Sequence, residues 1–201
     1  PKIEHILNDT VDDIIRAGSD FIGFSLYQTN IMASLYMIKR IKEIDRNKII
    51  IVGGPEAFNT WFESNYRIPR GTIDYCIKGE GEQELLTLLE NYNEMPSTSG
   101  EMQTLGGMKS NLDLNLLPFP DYSDYNLDDY QHSDGVSIET SRGCVAKCTF
   151  CAETHFWKYR WRDSHKVIDE MKFQIEKYGI NRFWFVDSLV NGNMKEFKII
   201  A

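Results

Sequence analysis

Cysteine is scarce in this sequence, four residues among 201, and the four show no regular spacing. That excludes the disulfide framework that staples small secreted domains. Long apolar runs are missing as well. Hydrophobic residues make up 42% of the chain, yet no run reaches the roughly 20 residues a membrane-spanning helix needs, so no membrane partner is expected. Positive charge is in deficit, with 22 Lys and Arg against 30 Asp and Glu and a net charge of −8. The deficit lies in one part of the chain. Residues 1–131 carry 11 basic and 21 acidic side chains, net −10, and residues 132–201 carry 11 and 9, net +2. So acidic a first part argues against a nucleic-acid surface, and no nucleic-acid partner is expected. The opening PKIEHILNDT lacks an initiator Met and the apolar segment of a signal peptide, so the sequence reads as starting internally.

What is present is an alternation of strand-like and helix-like stretches. NDTVDDIIRAG predicts a helix capped within Asn8 to Thr10 and stopped by Gly18. DFIGFSL (20–26) predicts a strand, and Ile31, Leu35, Ile38 and Ile41 fall on one face of a helix over 31–46. KIIIVGG (48–54) is a continuous apolar run ending at two glycines, the pattern of a buried parallel strand. Pro55 suits the first position of a further helix. IDYCIKGEGE (73–82) predicts a strand and a glycine loop, and a helix over 82–92 would turn Leu85, Leu86, Leu88 and Leu89 inward. The expected fold class is therefore α/β, with a Rossmann-like parallel sheet in residues 1–95. Residues 96–131 lose this rhythm and read as a linker with a small hairpin around Gly106–Gly107. From 132 to 201 the rhythm resumes with a strand at 135–141 and a helix over 164–179 carrying Ile168, Met171, Ile175 and Tyr178 in register. A strand at 182–188 and the start of another helix follow.

Three of the four cysteines stand within eight residues, in SRGCVAKCTFCAE (141–153). Clustered thiols in place of disulfides favour a metal site in a reducing compartment, so the cytoplasm is the expected location. The spacing is Cys144-x3-Cys148-x2-Cys151. Protein-bound iron–sulfur clusters take four ligands when complete. Three thiolates would hold three irons of a [4Fe–4S] cluster and leave the fourth open to substrate or cofactor, as open metal positions do in catalytic sites. Arg142 and Lys147 would favour the thiolate form. A zinc knuckle completed by His155 or His165 is one alternative, and a non-catalytic iron–sulfur or zinc-binding module is another. His155, His165, Trp157 and Trp161 otherwise read as packing or loop residues. Cys76 reads as a buried small hydrophobe.

A C-x3-C-x2-C loop directly after a strand, with aromatic Phe150 before its last cysteine, resembles the radical S-adenosylmethionine (SAM) superfamily. The resemblance implies that Cys144, Cys148 and Cys151 bind a [4Fe–4S] cluster whose open iron is chelated by SAM. Reductive cleavage would then give a 5′-deoxyadenosyl radical. It places Phe150 against the adenine and Asp187 and Ser188 at the polar part of SAM, although the family's GGE motif is absent there. The later part would be the start of a partial TIM-type barrel. Such a barrel needs more βα units than two strands, so the sequence reads as a piece of a longer protein.

Residues 1–95 resemble the cobalamin-binding domain found ahead of many radical SAM barrels, in DFIGFSLYQT, IIIVGGPEAF, DYCIKGEGEQELLTLLE and, in the linker, LNLLPFPDY. Ligands of open α/β sheets sit at the carboxyl ends of strands, where Ser25, Leu26, Gly53, Gly54, Gly79, Glu80 and Gly81 fall. The DxHxxG motif that supplies a cobalt-binding His is missing, so cobalamin would be held without one, and by the same resemblance the first strand and its loop would lie before Pro1. The implied activity is cobalamin-dependent methyl transfer or related C–C chemistry on a small-molecule or peptide substrate, with flavodoxin or ferredoxin as electron donor. The alternative is a radical SAM enzyme whose cobalamin domain is vestigial.

Overall fold

The computed structural model describes residues 2–58, 65–94, 100–107, 112–151 and 158–201. The chain divides into two compact units, Pro1–Leu112 and Asp113–Ala201. Among the described residues no helix is long and apolar enough to cross a membrane.

The first unit runs α1 (Lys2–Ala17), β1 (Phe21–Ser25), α2 (Ile31–Ile44), β2 (Ile49–Gly53), β3 (Tyr75–Lys78), α3 (Glu82–Asn91) and β4 (Gln103–Gly106). Its strands form one parallel sheet in the order β1-β2-β3-β4, a Rossmann-like arrangement. Side chains alternate across the pleat, and the two faces bury different sets. Ile22, Ile50, Val52 and Cys76 join Val11 of α1 and Ile31, Ile38 and Ile41 of α2 in one cluster. Ile51, Tyr75 and Ile77 join Leu88 of α3 in the other. A sheet covered on both faces explains why β2 is apolar at nearly every position. Asp74 fixes the amino end of the sheet, accepting from the Ile50 amide at 2.8 Å and from Lys42 Nζ at 2.7 Å.

Several local expectations change. Helix α1 starts at Lys2, before the expected cap, because Thr10 Oγ1 bonds back to the Ile6 carbonyl at 2.8 Å instead of capping. Residues 55–58 are a turn, and 59–64 lie outside the described residues, so the helix expected from Pro55 is not seen in what is described. Of the four leucines on α3, only Leu88 is buried; Leu85, Leu86 and Leu89 are exposed. In place of a hairpin around Gly106–Gly107, Gln103–Gly106 pairs with β3 in parallel. The first unit's sheet thus takes in a strand beyond residue 95, inside the segment expected as linker.

The second unit contains β5 (Gly135–Ile138), β6 (Ser141–Arg142), β7 (Arg160–Trp161), α4 (Ser164–Tyr178), β8 (Arg182–Phe185) and α5 (Met194–Ile200). Strands β5 and β8 are parallel, and β6 and β7 form a short antiparallel ladder pairing Ser141 with Trp161 and Arg142 with Arg160. Asp163 caps α4 by accepting from the His165 amide at 2.8 Å, and left-handed Gly179 ends it. The buried face of α4 is Ser164, Val167, Glu170 and Gln174, and Ile175 is exposed. The apolar stripe expected from Ile168 to Tyr178 gives way because polar side chains find partners inside. Glu170 pairs with Arg162, and Gln174 Nε2 donates to the Pro120 carbonyl at 2.8 Å. The segment 119–123 is fastened to the same helix. Asp121 accepts from Tyr178 and Ser123 hydroxyls and from Lys177, and Phe119 packs on Phe173.

Candidate functional site: a cysteine loop and a sheet edge

The cysteine loop leaves the carboxyl end of β5 and is closed at its stem by the β6–β7 ladder. Buried Gly143, at φ +79°, turns the chain into the loop, a backbone state that glycine adopts without strain. Cys148 and Cys151 stand at the two ends of one turn, closed by the Cys151 amide donating to the Cys148 carbonyl at 3.2 Å. The Cys144 sulfur accepts from the Ala146 amide at 3.4 Å. None of the three thiols is in a disulfide; Cys148 is exposed and the other two are half-buried. Among the described residues no three His, Cys, Asp or Glu side chains converge on one metal position. Phe150 is 91% exposed, free to stack on a ligand. Arg142 is engaged by Glu139, Nε to Oε1 at 2.9 Å, and Lys147 is exposed. His155 and Trp157 lie outside the described residues, and His165 sits exposed beside Asp163 at the start of α4.

Asp187 lies just beyond the carboxyl end of β8, as expected, and bonds there to neighbouring groups. Its Oδ1 accepts from the Thr140 and Ser141 hydroxyls, both at 2.6 Å, and the Thr140 amide lies 3.1 and 3.2 Å from its two oxygens. It is bound to the stem of the cysteine loop, while the neighbouring Ser188 is exposed. Tyr159, on the other side of the stem, lies against Gly192, where an added Cβ would meet the Tyr159 hydroxyl at 2.8 Å. Burial, above all, pushes the Tyr159 hydroxyl above the usual tyrosine range, and the charge of Asp187 and Cys144 adds to it. Sequence reasoning missed Thr140, Ser141, Tyr159 and Gly192, since no local pattern marks them.

At the carboxyl edge of the first sheet the expected residues fall into two groups. Ser25 is exposed, and Gly53 and Gly81 are partly exposed with only ordinary contacts awaiting a side chain, 3.6 Å from the Ile77 carbonyl and 3.5 Å from its Cγ2. On β1 the position over Gly23 is open, with nothing within 4 Å. The other four residues shape the loops. Leu26 is fully buried in the core, so its side chain cannot reach a ligand; its amide donates to the Gly53 carbonyl at 2.7 Å and its carbonyl accepts from Glu56 at 3.0 Å. Gly54, at φ +92°, would place a Cβ 2.8 Å from both the Leu26 nitrogen and oxygen. A Cβ on Gly79, also at φ +92°, would overlap the Gly107 carbonyl. Glu80 is buried.

The B12 binding domain family matches residues 2–89. Over 94% of its length the chain is 28% identical to a protein of Pyrococcus horikoshii named as an uncharacterized methyltransferase, covering 44% of that protein. It is 25% identical to cytidylyl-2-hydroxyethylphosphonate methyltransferase of Streptomyces wedmorensis over 91% of this chain and 43% of the relative. It is 27% identical to anaerobic magnesium-protoporphyrin IX monomethyl ester cyclase of Cereibacter sphaeroides over 84% and 31%. The chain is thus similar over residues 2–89 to B12 binding domains, and over most of its length to proteins named as methyltransferases and a cyclase. It spans less than half the length of these relatives.

The residues at the two places suit an iron–sulfur cluster and a cobalamin, the groups that the resemblance implies. Three cysteines outside any disulfide on one loop, each at least partly exposed, are the ligand chemistry of an iron–sulfur cluster. Nothing lies within 4 Å of a Cβ position on Gly23, and Gly53 and Gly81 meet only ordinary contacts, so at these three positions the backbone is open to close approach by a cofactor.

Proposed function

We infer that this chain is the cofactor-binding part of a radical SAM enzyme that carries out cobalamin-dependent methyl transfer or related radical C–C chemistry. One observation carries the reading: the loop Cys144-x3-Cys148-x2-Cys151 stands on a closed stem at the end of a parallel strand, in a chain whose first 89 residues include a B12-binding domain. The names of the relatives, methyltransferases and a cyclase, support the reaction class.

Cys144, Cys148 and Cys151 would hold a [4Fe–4S] cluster, which supplies the electron for reductive cleavage of SAM. Exposed Phe150 would cover the adenine, and Ser188 would meet the polar end of SAM. Exposed Ser25, with Gly53 and Gly81, would line the cobalamin site, while Leu26, Gly54, Gly79 and Glu80 hold the shape of its floor. The substrate would be a small molecule or peptide, the electron donor a flavodoxin or ferredoxin, and the compartment the reducing cytoplasm. The test is reductant-dependent release of 5′-deoxyadenosine from SAM by the anaerobic holoenzyme. Release that stops with Cys148→Ala supports the reading; release unaffected by any of the three cysteine substitutions overturns it.

A further inference from the structure

We propose that Asp187 is a positioning residue for the cysteine loop and not a ligand of SAM. The carboxylate lies just beyond the end of β8, and its donors among the described residues, Thr140 and Ser141, belong to the stem of the loop. Thr140 and Ser141, 0% and 1% exposed, give it two hydroxyl hydrogens and a backbone amide. Buried donors of this kind lose their only alternative partner, water, so the carboxylate fixes where the chain leaves β5. From there only Arg142 and Gly143 separate the clamp from Cys144. The other side of the stem is gripped from the same segment, because Gly192 leaves the space that the Tyr159 ring fills. The ladder pairing Ser141 with Trp161 joins the two grips. Residues 187–192 thereby set the entrance and exit of the loop together. Both stem hydroxyls fall on Oδ1, and Oδ2 shares the Thr140 amide at 3.2 Å, so the carboxylate is oriented by the stem.

The test uses anaerobic alkylation of the 201-residue chain with iodoacetamide, followed cysteine by cysteine by mass spectrometry. Asp187→Asn turns an amide N–H toward a donor. The alkylation of half-buried Cys144 should rise about tenfold, with exposed Cys148 and the buried Cys76 of the first unit unchanged. Thr140→Val removes one hydroxyl donor and keeps the backbone, so it should raise the Cys144 rate in the same direction even if Asp187→Asn fails to fold. Unchanged Cys144 reactivity in Thr140→Val and in folded Asp187→Asn overturns the proposal. A second arm titrates Co²⁺ and reads the thiolate-to-metal absorption. Loss of positioning should weaken Co²⁺ by roughly 10–100-fold, as outer-shell substitutions do. Intact Co²⁺ binding with loss of SAM binding alone would return Asp187 to the ligand role and overturn the proposal. The inference rests on the cluster reading only in this second arm. A wild-type chain that binds no Co²⁺ through its thiols would sink that reading, while alkylation still decides the role of Asp187.

Discussion

Gly54 distinguishes a glycine required by the fold from one required by a cofactor. Its φ of +92° and a Cβ position 2.8 Å from two backbone atoms of Leu26 mean that alanine would meet rigid main chain, not a flexible side chain. The left-handed backbone costs a non-glycine residue about 1–2 kcal/mol, and forced overlap in a packed region about 1–3 kcal/mol more. Gly54→Ala should therefore destabilise the first unit by ~2–5 kcal/mol. For a domain of its size, at ~4 °C per kcal/mol, the melting temperature should fall by roughly 8–20 °C. Gly53→Ala is the control. Its Cβ would lie in ordinary contact 3.6 Å from the Ile77 carbonyl, so stability should move by no more than ~0.5 kcal/mol. Thermal melts followed by circular dichroism, with and without cobalamin, separate the two effects. Only Gly53→Ala should weaken cobalamin without lowering the melting point. A Gly54→Ala chain that melts within ~2 °C of wild type would refute the reasoning.

Two further outcomes concern the second unit. Arg162 and Glu170 are about 95% buried and paired, so Arg162→Met should cost ~3–5 kcal/mol by stranding a buried carboxylate. The double variant with Glu170→Leu should recover most of that loss in urea titrations; equal or greater loss in the double variant would contradict the pairing. Hydrogen bonds from Ser123, then Tyr178 and Lys177, hold Asp121 well below the usual carboxylate range. A depressed folded pKa stabilises above the unfolded pKa of about 4 and is lost as pH falls below it. Asp121→Asn should therefore flatten the stability of this unit between about pH 4 and pH 2. An acid profile unchanged by that substitution would show that the 119–123 hook is not anchored through this charge.

The fold was legible where a single physical rule decides it. Ile49–Gly53 is apolar throughout because both faces of its sheet are covered, and Gly179 stops α4 as expected. Failures came where partners lie far along the chain. Glu170 and Gln174 occupy the inner face of α4 because Arg162 and Pro120 satisfy them, a pairing that hydrophobic periodicity cannot register. QTLG (103–106) carries no strand pattern of its own and becomes β4 by borrowing the ladder of β3. At the sites, the cysteine spacing alone singled out the loop. The roles of Asp187 and Leu26 depended on donors 46 or 47 residues upstream and on burial in the core, and neither leaves a local trace.

The claim that three cysteines hold a catalytic cluster is tested most directly by counting iron and sulfide per chain after anaerobic reconstitution of the holoenzyme. About four irons and four sulfides are expected for a [4Fe–4S] cluster, lost with Cys144→Ala, Cys148→Ala or Cys151→Ala and kept with Cys76→Ala. Bound zinc without sulfide, or equal loss with Cys76→Ala, would contradict the account.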